Sequence, residues 1–228
     1  MVNTYKEYRN KELKYFIVSE IGMFVLLNYK NDFSQLLTTN SLFTILISSP
    51  VFYFYCLILD VVVPRNLKNT FSLYINKDNF HMFFQSPGRT IFTLLKENKV
   101  KDMRIDKCKV QAKYSDTFEL IERCQTSKYE KQNSIWYQIK SNLEKDGKNA
   151  KLESIEKEYL LFRDMLSMHI VLNLIYFTFH IFGIVIYVKA SFAYIFVTYI
   201  VLFLCVRSAS NKFVIEVIVQ DLLKNQIF

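Results

Sequence analysis

The sequence predicts an α-helical multi-span membrane protein with a small α+β cytoplasmic domain inserted between N-terminal and C-terminal helical hairpins. Three observations lead there. Apolar residues make up 51% of the 228 positions and aromatics 16%, and they fall in blocks instead of recurring at an amphipathic period. Several blocks run for seventeen residues or more without Asp, Glu, Lys or Arg, close to the length that crosses a hydrocarbon core of about 30 Å. Between the blocks lies a stretch of about a hundred residues that is charged, and basic on balance.

The expected order begins with a membrane region, residues 1–63, holding two candidate spans. Residues 35–59 (QLLTTNSLFTILISSPVFYFYCLIL) are free of charge, with Pro50 near the middle predicting a kink. Residues 13–29 are shorter and contain Glu20. At the other end, His169–Val188 offers twenty uncharged residues and Ala190–Val206 seventeen, with Lys189 between them, which reads as a tight transmembrane hairpin over 169–206. Within lipid each span must be helical, since no water is present to satisfy a free N–H or C=O. Residues Pro64–Ser167 carry 20 Lys and Arg, so they are expected in the cytoplasm. Four spans with both termini inside satisfy the loop charges; three spans, or the C-terminal hairpin alone, are the alternatives.

In the middle, residues 64–128 read as the α+β domain. FSLYI (71–75) and FHMFFQ (80–85) flank the turn-forming 76–79, Arg89–Asn98 has helical spacing, and Lys107–Tyr114 alternates as a strand would. Residues 129–168 read as a helical stalk that enters the span at His169 without a break, and 207–228 as an amphipathic tail that lies on the membrane or packs back on the stalk.

Polar residues inside apolar runs are the first candidates for function. Glu20, Asn173 and His180 are candidate intramembrane polar groups, read either as conduit or proton-relay residues or as hydrogen-bonding glue between spans. In the middle, Trp136 and Tyr137 near Lys131 and Lys140 would suit stacking on a nucleic-acid base, or simply an aromatic core contact. Arg89, beside Pro87-Gly88, would suit an anionic partner. Three scattered histidines and four cysteines without a C-x-x-C pair suggest no metal, no cofactor and no disulfide framework. With only 4 glycines and no phosphate-loop or nucleophile-elbow motif, enzymatic function is disfavoured.

The hairpin His169–Val206, the stalk Lys151–Met168, the basic middle and the lack of a catalytic motif together resemble the membrane effectors of bacterial anti-phage defence, including retron-associated transmembrane proteins. That resemblance implies a bacterial inner-membrane protein, activated by a cytoplasmic protein or nucleoprotein partner, that assembles as a homo-oligomer in the lipid bilayer and perturbs the membrane in abortive infection. A non-toxic membrane anchor or adaptor for a soluble partner, and a small transporter or channel subunit, are the competing expectations.

Overall fold

The computed structural model describes residues 11–23, 88–124, 127–145, 150–182 and 189–224. Helix α1 covers residues 11–23, and five more follow: α2 (Ile91–Lys96), α3 (Lys107–Arg123), α4 (Lys128–Lys145), α5 (Ala150–Ile181) and α6 (Lys189–Lys224). The chain divides into two compact units. One comprises Met1–Ser72 and Leu160–Val206; the other comprises Leu73–Tyr159 and Arg207–Phe228. Both α5 and α6 therefore contribute residues to each unit.

The first unit packs α1 against α5. Leu13, Ile17 and Glu20, at i, i+4 and i+7, share one face of α1, as residues at those spacings must. Leu13 and Ile17 meet Met168 and Leu172, with Phe16, Ile21 and Met165 at the edge. The opposite surfaces are apolar but uncovered: Leu174, Phe177 and Ile181 on α5, and Phe192, Phe196 and Leu204 on α6, are exposed. A water-soluble core helix would hide such side chains.

The second unit is a small helical domain. Val110, Tyr114, Phe118 and Ile121 of α3 face inward, and Phe92 of α2 meets the Tyr114 ring edge-on at 5.4 Å. Residues 209–222 of α6 carry Phe213, Val214, Val217, Ile218, Val219 and Leu222, all buried. Trp136 of α4 stands edge-on to Phe213 at 5.4 Å, and Tyr159 stacks on the same ring at 5.7 Å. Gln132, buried at the start of the same α4 face, accepts from the Thr93 N–H at 3.1 Å and donates to Thr93 Oγ1 at 2.9 Å. It thus satisfies a backbone donor in the first turn of α2 that the Thr90 side chain leaves open.

This architecture overturns the expected fold class. Among the described residues every regular element is helical and there is no strand, so the α+β domain is not supported. Lys107–Tyr114, expected as a strand, is the first half of α3. Its cause is local: the Asp106 side chain accepts from the Cys108 N–H at 2.9 Å as an N-cap, and the apolar residues recur every three or four positions beyond Tyr114. The multi-span expectation is corrected as well, because two helices among the described residues are long and apolar enough to cross a membrane, in the ranges Ala150–Thr178 and Ser191–Lys224. Of the N-terminal hairpin, residues 11–23 form α1, while 24–29, the candidate span 35–59 and the two expected strands at 71–75 and 80–85 lie outside the described residues. The 207–228 segment, expected as an amphipathic tail, supplies through residue 224 the end of α6, most of it interior to the second unit.

Candidate functional site

Glu20 lies on the buried face of α1, and in the first unit it is 1% exposed. A carboxylate so placed must find donors, because an unpaired charge in an apolar interior is strongly unfavourable. It finds two. Its Oε1 accepts from the Tyr194 hydroxyl at 2.9 Å, and its Oε2 lies 3.0 Å from His169 Nδ1. The His169 ring is equally buried, and its other nitrogen, Nε2, lies 3.1 Å from the Ile195 carbonyl oxygen. Three elements converge here, α1 through Glu20, α5 through His169 and α6 through Tyr194 and Ile195.

The proton inventory follows from the partners. A carbonyl oxygen can only accept, so Nε2 carries a hydrogen and donates it to Ile195. The Nδ1 to Oε2 contact then holds one further proton, on the ring or on the carboxyl. The pair is either imidazolium with carboxylate or neutral imidazole with carboxylic acid, and in both forms it has no net charge.

Asn173, four residues past His169, donates its amide to the His169 carbonyl at 2.7 Å. Its Oδ1 and the Ser191 hydroxyl are buried without a hydrogen-bond partner among the described residues. Ser191 precedes Ile195 by the same four residues by which Asn173 follows His169. His180, two turns past Asn173, is exposed. Of the three intramembrane candidates, Glu20 is at the centre of the cluster, Asn173 adjoins it and His180 stands apart.

The second unit treats its candidates differently. Trp136 is fully buried and its indole donates to the Val214 carbonyl at 3.4 Å, so its faces are used against Phe213, Tyr137 and Gly88. Tyr137 meets it edge-on at 5.0 Å. Lys140 pairs with Glu156 at 2.6 Å and Glu144 at 3.1 Å and lies over the Phe213 ring. Burial pulls its ammonium toward deprotonation, but the two carboxylates outweigh that and hold it above the ordinary lysine value. Arg89 is 3.9 Å from Glu130, and Lys131 is half-buried. These five residues do not form a common surface for stacking a base: Trp136 and Lys140 are engaged within the unit.

A second ionic cluster surrounds Glu216, which is buried on α6. Arg104 donates to its Oε2 at 2.7 Å, Lys151 lies 3.0 Å from its Oε1, and Gln220 donates to the same oxygen at 2.7 Å. Asp102 grips the same guanidinium through Nε and Nη2, and these bonds, with those to Glu216, raise the arginine further above its usual value. In return Arg104 holds Asp102 below the usual carboxylate range. Sequence reading missed His169, Tyr194, Arg104 and Glu216. The signal for His169 was there, one position beyond Met168 on the stripe that runs through Met165 and Leu172.

No protein-family model matches this chain, and no curated protein or solved structure does either.

Proposed function

We propose that this chain is a bacterial inner-membrane effector of the anti-phage type, with α5 and α6 entering the bilayer as a hairpin and the second unit taking a cytoplasmic partner. When the partner is triggered, copies of the chain assemble and perturb the membrane, without catalysis by the protein itself. The observation that supports this reading best is the uncovered apolar surface of α6 over Phe192–Leu204, which suits lipid and would be a liability in water. Basic residues in the middle of the chain favour the cytoplasmic side for the second unit. The biological setting comes from the resemblance described above.

The test is induced expression of the full chain without other components, with membrane potential followed by a voltage-sensitive dye. Depolarisation and growth arrest are expected, together with retention in the membrane pellet after alkaline washing. Normal potential and growth at confirmed membrane expression would reject the effector reading and leave that of a non-toxic anchor. Release of the protein into the soluble fraction would reject both.

A further inference from the structure

We propose that the Glu20–His169 pair is a proton-binding site that latches α1 onto the membrane hairpin, with α1 released when the pair takes up a second proton. The inference goes beyond the effector reading, and it does not depend on membrane damage.

The geometry supplies the switch. As the contacts stand, one proton lies between Glu20 and His169, the pair is neutral, and both His169 nitrogens are engaged, one by α1 and one by the α6 backbone. Adding a proton places a carboxylic acid beside an imidazolium. The hydrogen bonds can be rearranged, but the positive charge no longer has a counter-charge. Among the described residues, the groups that meet the pair are the Tyr194 phenol and the Ile195 carbonyl from α6; Met165, Met168, Leu172 and Asn173 flank His169 along α5, with the buried Arg163–Asp164 ion pair further toward the start of that helix. Asp164 is held by Arg163 and the others are not anions at neutral pH, so none of these replaces the lost carboxylate. A buried, uncompensated cation draws in water, and the available way to admit it is to separate α1 from α5 and α6. Among the described residues, α1 otherwise meets α5 through the small cluster of Leu13 and Ile17 with Met168 and Leu172, edged by Phe16, Ile21 and Met165, an interface modest enough to open locally.

The experiment uses the full chain in lipid nanodiscs. Hydrogen exchange of backbone amides 11–23 is followed from about pH 8 to about pH 4, with intrinsic rates corrected. Exchange in α1 is expected to accelerate by about tenfold or more on acidification, while the buried amides of α3 stay protected. In His169→Gln the step should vanish, because protonating Glu20 alone leaves no cation; in Glu20→Gln it should be displaced, because His169 can still take up a proton and has no carboxylate beside it. Should either variant fail to fold, Tyr194→Phe serves instead: it keeps the pair but removes one hydrogen bond between α6 and α1, so α1 should exchange faster before the step while the step itself remains. Infrared spectra at the acid end of the range should show a protonated-carboxyl band that Glu20→Gln lacks. A flat exchange profile in the unmodified chain would overturn the latch, as would an acid step that persists unchanged in the Glu20 and His169 variants.

Discussion

At Gly88 the backbone comes so close to Trp136 that a Cβ would stand 2.7 Å from both the Cβ and Cγ of the tryptophan. Neither atom is the far end of a flexible chain, so something rigid must move. Gly88→Ala is therefore expected to destabilise the second unit by about 1–3 kcal/mol, read as a lower midpoint in chemical denaturation with Trp136 fluorescence as the probe. Asn98 is the residue counterpart at a helix end. Its φ of 54° lies in the left-handed region, and the bonds from Asn98 N to Leu95 O and from Lys99 N to Leu94 O close α2 as a Schellman turn. Sequence alone marked Gly88 as a break beside Pro87 and Trp136 as an aromatic of two readings. It did not show that the two meet, because contact between residues this far apart depends on a helix packing that periodicity does not encode. Glu20 was recognisable as a polar group in an apolar run; its partners, from α5 and α6, were not.

Among the elements, α3 shows how a short window misleads. Lys107–Tyr114 alternates well enough for a strand, yet the longer series Val110, Tyr114, Phe118 and Ile121 has helical spacing, and Asp106 supplies the start. Asp106→Ala is expected to cost about 1 kcal/mol of stability, and Asp106→Asn much less, measured by urea denaturation. The same helix contributes a pH dependence. Burial, reinforced by the negative charge of Asp221 and by the hydrogen bond to its Oδ2, raises the Tyr114 phenol well above its usual value near 10. The folded state keeps this proton where the unfolded chain gives it up. The contribution is thus complete below about pH 10 and is lost as the pH rises beyond it. Thermal unfolding of the second unit should show a falling midpoint above about pH 10, with a smaller fall in Tyr114→Phe.

For the molecule as a whole, two helices long and apolar enough to cross a membrane were legible in the uncharged runs His169–Val188 and Ala190–Val206. The change of character at Arg207 was legible too, but not that a single helix, α6, runs through it. Residues 192–204 leave large apolar side chains exposed, whereas 209–222 bury theirs among α-helices of the second unit and carry Lys212, Glu216 and Asp221 between them. If the uncovered stretch lies in lipid, Phe196→Asp should reduce membrane retention after alkaline washing, since a charge near a span centre costs about 3 kcal/mol on insertion. Phe196→Leu should leave retention unchanged.

The placement of Phe213–Leu222 in the interior of the second unit also fixes an order of events during synthesis. Residues 73–159 emerge from the ribosome before 160–206, and only then comes the segment that supplies Phe213–Leu222 to the interior of the second unit. Domains usually mature from the N-terminal side as they are made, but this one must wait for a piece encoded beyond residues 160–206. Nascent chains stalled before Arg207 has emerged should remain open to protease across α3 and α4, and supplying 207–224 as a separate peptide should close them.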